Sequence, residues 1–242
     1  MLLVLMMTML APQALAFCAI APNVQKACAN VAARLDLTDD AMARVQEYVR
    51  LLLEYNERTN VYSKSAYEKL PFHVEDSLRL ACLVNDRASR GVLDIGSGSG
   101  LPSILIACVS PSLPTYAVES KSRKTRFLAR MARELDLPRY VPLTQNVREL
   151  YQSWAFDVDV VTAKAFKPLP EVGPIARRCI SGHARLLVPI SEAQVREFDL
   201  ADDQLVRTGG GCFIYFSEAV EPSHGVDQRK LVSPEAARSS RL

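Results

Sequence analysis

The sequence predicts an α/β fold built on a doubly wound, mostly parallel sheet, with an N-terminal helical extension before it. From Gly91 onward, short β-rich runs alternate with helical runs, which is the pattern of such sheets. Closely spaced glycines follow the first of these strands, at the edge where α/β sheets bind ligands. The chain has 242 residues, of which 49% are hydrophobic, and this is enough for one sizeable core.

The first 37 residues have the character of targeting signals. Residues 1–10 are almost wholly apolar, and Ala14-Leu15-Ala16 is a cleavage site of the small-x-small kind. The alanine-rich stretch that follows has no acidic residue up to Leu35, as is typical of transit peptides. We therefore predict a signal peptide-like segment at 1–16 and a transit-like segment at 17–37.

Together these two segments resemble the bipartite presequences of algae with secondary plastids, so the predicted location is the plastid (chloroplast). The mitochondrion and the cytoplasm are the alternative locations. A plain secretory signal or a misassigned start codon would also explain this N-terminus. The apolar stretch is shorter than the roughly 20 residues that span a membrane, so no stable membrane insertion is expected.

The helical extension is predicted at 38–90 and contains two amphipathic helices. Thr38 can cap the first helix, and apolar residues recur after it at helical spacing. The second helix is predicted from near Phe72 to Asn85.

Six strands and four helices are predicted after Gly91. The polar tail at 223–242 contains Gly, Pro and Ser and is predicted to be disordered. The strands are Val92–Ile95, Thr115–Val118, Val141–Thr144, Val158–Thr162, Arg185–Pro189 and Cys212–Phe216. The helices lie near Pro102–Cys108, Arg123–Leu135, Leu169–Ile180 and Glu192–Leu200.

The cysteines and histidines show no metal-binding pattern. Six cysteines stand at positions 18, 28, 82, 108, 179 and 212, without a Cys-x-x-Cys pair. They are predicted to be reduced thiols, mostly in the core, because neither zinc-ligand spacing nor a disulfide framework is present. His183 and His224 stand alone, so no metal site is expected.

The glycine run reads Gly96-x-Gly98-x-Gly100 and is preceded by Asp94. Dinucleotide-binding loops have the form Gly-x-Gly-x-x-Gly, so the third glycine here comes one residue early. Glu119 ends the second predicted strand, about 20 residues on, where an acidic side chain can bind both hydroxyls of a ribose. The pattern predicts a site for a cofactor that contains a nucleoside.

Basic residues recur at positions i, i+3, i+7 and i+10 of the helix predicted after Glu119, and so share one face. Such a face can contact phosphates without reading sequence. A solvated helix face with packed apolar residues beneath it explains the pattern equally well. The candidate RNA contacts are Arg123, Lys124, Arg126 and Arg130, with Lys121 and Arg133 beside them.

Asp94 and the three glycines resemble motif one of the class I methyltransferases, which have a Rossmann-like fold and bind S-adenosylmethionine. From about Thr38 to Ile190 the chain also resembles the glucose-inhibited division protein B family of rRNA methyltransferases. The most specific elements are the Gly-Leu-Pro ending of the loop and His-x-x-Asp-Ser. The matching pieces are Leu53-Glu54-Tyr55-Asn56 with Asn60, His73-Val74-Glu75-Asp76-Ser77, Asp94 to Pro102, Lys124-Thr125-Arg126-Phe127-Leu128 and Ala163-Lys164-Ala165-Phe166.

The resemblance implies a methyltransferase domain at 91–222 that moves a methyl group from S-adenosylmethionine to guanine N7 in small-subunit rRNA. The family target is guanine 527 of 16S rRNA, so rRNA or the ribosomal subunit is the implied partner; an oligomeric state is not indicated. N7 carries a lone pair and no proton, so positioning rather than a general base is expected. Lys164 is the one candidate for a catalytic role. The candidate cofactor contacts are Asp94, Gly96, Gly98, Gly100, Leu101, Glu119, Val147, Arg148 and Lys164.

The chain departs from the family pattern mainly on the RNA-facing side. Lys164 stands where the family has Arg, which keeps the charge but loses the planar fork. Pro189-Ile190-Ser191 replaces a Lys-Gly pair, and basic positions near Asn146 and Gly211 are missing. A non-catalytic rRNA-binding or ribosome-assembly factor is therefore an alternative, as is a small-molecule methyltransferase. The glycine spacing disfavours a nicotinamide-dependent oxidoreductase.

Two further side chains allow two interpretations each. His73 alone would be a structural histidine, but the resemblance implies that His73 and Asp76 shape the cofactor pocket. Trp154 can stack on a base, yet it lies in a short connection where packing is the simpler explanation.

Overall fold

The computed structural model describes residues 12–35, 37–150, 154–209, 212–223 and 230–234. Within these ranges nine strands form two sheets. The strands are β1 (Val92–Ile95), β2 (Thr115–Glu119), β3 (Tyr140–Thr144), β4 (Trp154–Phe156), β5 (Val160–Thr162), β6 (Arg185–Ser191), β7 (Leu205–Gly209), β8 (Cys212–Phe216) and β9 (Lys230–Val232).

Eight α-helices lie within the described part of the chain. They are α1 (Pro12–Leu35), α2 (Asp39–Glu57), α3 (Leu70–Asn85), α4 (Ser103–Val109), α5 (Ser122–Glu134), α6 (Val147–Leu150), α7 (Leu169–Cys179) and α8 (Glu192–Glu197). Two short 3₁₀ helices span Lys64–Lys69 and Asp202–Gln204.

The main sheet has the strand order β3-β2-β1-β5-β6-β8-β7. Its first five strands run parallel, and β8 pairs antiparallel with both β6 and β7. The order reverses between β1 and β5, so the loops after these strands open onto a crevice at their carboxyl ends. The predicted doubly wound, mostly parallel sheet with a Rossmann-like arrangement is confirmed.

The central strands are buried because helices cover both faces of the sheet. All four residues of β1 and all five of β2 are buried, as expected for parallel strands covered on both sides. One core cluster joins α2, α3, α4 and α5, and a second joins β2, β5, β6 and α7. The crevice therefore lies between two rigid layers.

The strand predictions omit three strands of the structure, β4, β7 and β9. β4 and β9 pair in parallel as a separate two-stranded sheet, and β7 forms an edge of the main sheet. β9 lies in the segment predicted as a disordered tail. Val232 in that strand is buried, and its carbonyl accepts a 3.0 Å hydrogen bond from the Tyr116 hydroxyl. The tail is therefore ordered at Lys230–Val232, because the pairing and the burial compensate for its polar composition.

The folded extension begins before residue 38. Thr38 caps α2 as predicted, since its hydroxyl accepts a hydrogen bond from the amide of Ala41. However, α1 precedes it and covers most of the segment predicted as transit-like. Val24, Cys28 and Val31 of α1 are buried in the core that also contains α3. The apolar residues of that segment thus recur at helical spacing and pack into this core. Residues 1–11 lie outside the described part of the chain.

The described cysteines have no disulfide bonds, and four of the five are buried, which confirms the predicted core thiols. Burial raises the pKa of the Cys28 thiol to about 11, so this thiol stays protonated at neutral pH. The side chain of Cys18 lies outside what the structure describes. Among the described helices, none combines the length and the apolar character that a membrane crossing requires.

Candidate functional site

The glycine loop joins β1 to α4 in a conformation that its three glycines make possible. Gly96, Gly98 and Gly100 all have positive φ, at 77°, 60° and 97°, a region that L side chains rarely adopt. A Cβ on Gly96 would lie 2.5 Å from the ring of Phe166, so the backbone and this ring are in close contact. The loop is held to β2, because the amides of Gly96 and Ser97 both donate to the Val118 carbonyl.

Asp94 lies beneath this loop, in β1, and is 1% exposed. Neither of its carboxylate oxygens has a hydrogen-bond partner among the described residues. Burial raises the pKa of Asp94 to about 6, against the opposing effect of the Ser97 and Ser103 hydroxyls; the charge of Glu119 adds to the rise. The Ser97 and Ser103 hydroxyls lie near the carboxylate but are bonded to the Asp94 carbonyl and to the Tyr140 hydroxyl, so a positive charge placed nearby would stabilise the ionised form.

Glu119 ends β2 and faces the glycine loop. Its Oε2 accepts a 3.0 Å hydrogen bond from the amide of Gly98, and its Oε1 accepts one of 2.8 Å from the amide of Lys121. The side chain is 7% exposed. Oε1 also accepts a 3.4 Å hydrogen bond from the Ser120 hydroxyl. These bonds fix the carboxylate and leave Oε2 a further acceptor position, which a ribose hydroxyl can use.

A cavity of about 540 Å³ opens beside Gly98 and Glu119 at the carboxyl ends of β1, β2 and β3. This volume is in the range of cofactor and small-molecule sites. Gly96, Gly98, Glu119, Val147 and Lys124 line it, so the structure brings together five residues that the sequence singled out. We call it the cofactor cavity.

Several predicted cofactor contacts lie outside the lining of this cavity. Asp94 is buried behind the loop, and Gly100 packs against Ile104 and Leu128. Leu101 packs against the core that contains α2 and α4. The backbone of Arg148 lies in α6, but its side chain lies outside what the structure describes.

Lys164 follows β5 and is bound to α3. Its Nζ lies 2.7 Å from Asp76 Oδ2 and donates a 3.2 Å hydrogen bond to the Ser77 hydroxyl. The lysine side chain is 18% exposed and the aspartate 6%. This buried pair explains why the His-x-x-Asp-Ser and Ala-Lys-Ala-Phe elements belong to one site although they are far apart in sequence.

A second, smaller cavity of about 210 Å³ adjoins the first. Ala165 and Lys167 line both cavities, so the segment after Lys164 forms their common wall. His73, Asp76 and Lys164 line the second cavity rather than the first. We call it the acceptor-side cavity.

His73 links this cavity to the segment between α2 and α3. Its Nδ1 lies 2.7 Å from the hydroxyl of Tyr62, and burial together with the nearby Lys164 charge lowers its pKa. The imidazole is therefore neutral at physiological pH. The side chain acts as a fixed part of the wall, in keeping with a structural histidine.

The basic face of α5 is only partly free of other contacts. Arg126 is exposed, and among the described residues it forms no ion pair. Arg123 donates to the Asn60 carbonyl, and Lys124 borders the cofactor cavity. Arg130 lies 3.8 Å from both Glu54 and Glu134, and Arg133 pairs with Glu134. Thus the N-terminal half of this helix has the charge that can meet phosphates, next to the cavity.

Sequence reasoning assigned no role to four side chains that build the site, although Asn56 and Phe166 belong to the motifs that carry the family resemblance. Tyr48 of α2 contacts the glycine loop, and Phe166 packs against Gly96. Phe72, 42% exposed, lines the acceptor-side cavity. Asn56, 0% exposed, donates to the Tyr62 carbonyl and the Tyr67 hydroxyl and accepts from the amides of Val61 and Tyr62. Tyr48 and Phe166 make contacts that join segments distant in sequence, so no local pattern indicates these contacts. Trp154 packs against the second core cluster, as the simpler interpretation predicted.

Residues 41–210 match a family model described as GidB, rRNA small subunit methyltransferase G. A relative of that description from Paracoccus denitrificans is 33% identical over 171 residues, covering 66% of this chain and 86% of the relative. One from Bradyrhizobium sp. (strain BTAi1) is 32% identical over 166 residues, covering 66% and 73%.

A solved methyltransferase from Geobacter sulfurreducens is similar at 16% identity and a TM-score of 0.46, covering 74% of this chain and 88% of that one. We draw the family relationship from the sequence matches alone.

Proposed function

The chain belongs to the rRNA small subunit methyltransferase G family, and we propose that it methylates N7 of a guanine in small-subunit rRNA, with S-adenosylmethionine as the methyl donor. The fold is the Rossmann-like fold of class I methyltransferases. The observation that supports this proposal best is the pair of adjoining cavities at the carboxyl ends of the parallel strands. The cofactor cavity has the features of a site for a nucleoside-containing cofactor, and the acceptor-side cavity is open to a second reactant.

The residues of the cofactor cavity fit S-adenosylmethionine. Glu119 presents a fixed acceptor to a ribose hydroxyl, and the glycine loop lets the backbone approach the ligand closely. The unpartnered carboxylate of Asp94 lies behind the loop, where a cationic ligand would compensate its charge. Bound S-adenosylmethionine would supply an electrophilic methyl group, attached to a positively charged sulfur that keeps the bonding electrons when a nitrogen lone pair displaces it.

The protein's own contribution is positioning. Guanine N7 needs no general base, because its lone pair lies in the ring plane and carries no proton at neutral pH. Ala165 and Lys167 line both cavities, so ligands in the two cavities would both contact this segment and lie next to each other. Holding two reactants in line replaces a bimolecular encounter by a unimolecular step. The target guanine is unpaired, since proteins read RNA bases chiefly in loops.

The test incubates the full chain with small ribosomal subunits from a bacterial strain that lacks this methyltransferase, together with methyl-labelled cofactor. The proposal expects label at N7 of one rRNA guanine, the family target at position 527 being the first candidate. Tight cofactor binding with no label in rRNA would overturn it. Retained binding to the subunit would then favour a non-catalytic assembly factor, and label in small molecules a different acceptor.

A plastid location is part of the same proposal and depends on the presequence-like N-terminus. A fluorescent protein fused after the complete chain would report it in cells of an alga with secondary plastids. Fluorescence confined to plastids is the expected result. A cytosolic or mitochondrial signal would contradict the location without affecting the chemistry.

A further inference from the structure

The acceptor-side cavity contains a polar group whose bonding is incomplete. Asp76 lines this cavity and is 6% exposed; its Oδ2 is 2.7 Å from Lys164 Nζ. Its Oδ1 has no hydrogen-bond partner among the described residues. A buried acceptor without a donor is costly, so a ligand that brings an N–H group to it gains the bond that is missing.

The remaining walls suit a flat aromatic ring. Phe72 lines the cavity and exposes 42% of its surface, which is unusual for a phenylalanine in a folded protein. Val188 and Ile190 of β6 provide apolar surface. At about 210 Å³ the cavity is smaller than the sites that hold drug-sized ligands, so it admits one ring system rather than a whole nucleotide.

Stacking between aromatic or apolar side chains, with hydrogen bonds to the Watson–Crick edge, is how enzymes hold an unstacked base for chemistry. Guanine presents two donors on that edge, N1–H and the N2 amino group. Adenine has no hydrogen on N1 and no amino group at C2. Its one donor on that edge is the amino group at C6, so a carboxylate oxygen placed to accept from N1–H and the N2 amino group pairs with guanine and faces no donor in adenine.

We propose that this cavity holds the target guanine, with Phe72 stacking on the ring and the free oxygen of Asp76 accepting from N1–H and the N2 amino group. The inference rests on the proposed function and names the residue that selects guanine. Lys164 acts as a positioning residue, since its ion pair and the Ser77 hydrogen bond fix the orientation of the carboxylate. N7 lies on the opposite edge of the base and remains free to react.

The test combines a protein change with a substrate change. Asp76→Asn removes the acceptor charge at constant size, and inosine at the target position removes the N2 amino group. Glu75→Gln is the matched control, because Glu75 neighbours Asp76 on α3 but pairs with Arg79. The substrates are small subunits reconstituted with guanosine or inosine at the mapped position. Calorimetry with S-adenosylhomocysteine measures the affinity of each variant for the cofactor product.

For the wild-type protein we expect inosine to lower kcat/KM about tenfold or more, since the carboxylate then loses a donor. Asp76→Asn should lower kcat/KM on guanosine by a similar factor, and inosine should cost the variant little further, because substitutions of interacting groups are not additive. S-adenosylhomocysteine should bind the variant within about twofold of wild type. Glu75→Gln should retain the wild-type discrimination.

Two results would overturn the inference alone. One is an Asp76→Asn variant that discriminates against inosine as strongly as wild type does. The other is a loss of S-adenosylhomocysteine affinity that accounts for the whole loss of rate, which would place Asp76 on the cofactor side. Failure of the wild-type protein to label guanine N7 would instead overturn the proposed function, and this inference with it. Thermal unfolding of each variant confirms that it is folded.

Discussion

The hydroxyl of Tyr48 in α2 donates a 2.9 Å hydrogen bond to the backbone carbonyl of Ser99 in the glycine loop. Tyr48 is 0% exposed, so this bond lies in the core rather than at the surface. The helical extension therefore supports the cofactor loop directly. The packing of Phe166 against Gly96 supports the same loop from the other side.

Tyr48→Phe should remove this support without changing the packed volume of the ring. We expect the free energy of unfolding to fall by about 1–3 kcal/mol, because the Ser99 carbonyl stays buried without its donor. S-adenosylhomocysteine should bind more weakly, since the loop loses an anchor. Urea unfolding and calorimetry measure the two effects. Tyr55→Phe, at a half-buried tyrosine of the same helix for which no hydroxyl hydrogen bond is described, is the control.

Gly96→Ala should abolish cofactor binding or prevent folding. The new Cβ would meet the Phe166 ring at 2.5 Å, in addition to the strain of an alanine at a φ of 77°. Gly173→Ala in α7 is the contrasting change, because the nearest atom would be 3.8 Å away. That variant should be neutral or more stable by up to about 1 kcal/mol. Thermal unfolding and cofactor titration compare the two.

Asp94 should make a pH-dependent contribution to stability. Burial raises its folded-state pKa from 3.8 to about 6, so ionisation disfavours the folded state. The cost is absent below pH 3.8, grows as pH rises, and reaches about 3 kcal/mol above pH 6. Plots of the free energy of unfolding against pH should therefore diverge between pH 3.8 and about 6, with wild type losing stability relative to Asp94→Asn. Parallel curves would contradict the raised pKa.

Asn56→Ala should be among the most destabilising single changes. The side chain is 0% exposed and makes four hydrogen bonds, to Tyr67 and to the backbone of Val61 and Tyr62. We expect a loss of about 3 kcal/mol or more, because several buried groups lose their partners together. Urea unfolding measures it, and Asn60→Ala, at an exposed asparagine shortly after it, should cost far less.

Arg126→Ala should weaken binding to small-subunit rRNA more than Arg133→Ala does. Arg126 is exposed and forms no ion pair among the described residues, whereas Arg133 lies 3.1 Å from Glu134. Loss of one phosphate contact should lower the slope of log affinity against log salt by about 1. Filter binding at several salt concentrations measures both quantities. Equal slopes for Arg126→Ala and wild type would identify this face as a solvated one.

Local patterns were sufficient for most of the sheet and for the cofactor loop. β1 and β8 have the predicted bounds, because each is a short run with β-branched or aromatic residues that directly follows a glycine. The positions of Gly96 and Gly98 and the distance to Glu119 predicted the cavity that they line. These features depend on backbone conformation and spacing along the chain, which the residue types determine.

Other features depend on contacts between segments that are distant in sequence. β4 and β9 are three-residue strands that exist because they pair with each other, and α1 is part of the fold because Val24, Cys28 and Val31 pack into the core. Neither short strand has enough local signal to be recognised.

The sequence by itself determined the sheet, the glycine loop and the carboxylate at the end of β2, since local conformational preference and burial pattern specify each of them. Only the tertiary structure decided that Asp76 pairs with Lys164, and that both lie in the acceptor-side cavity rather than in the cofactor cavity. Ser77 and its partner Lys164 are 87 positions apart in sequence, and no local pattern links them. Asp76 and Ser77 lie on α3 and Lys164 follows β5, so the packing of α3 against α4 and β6 brings these residues together.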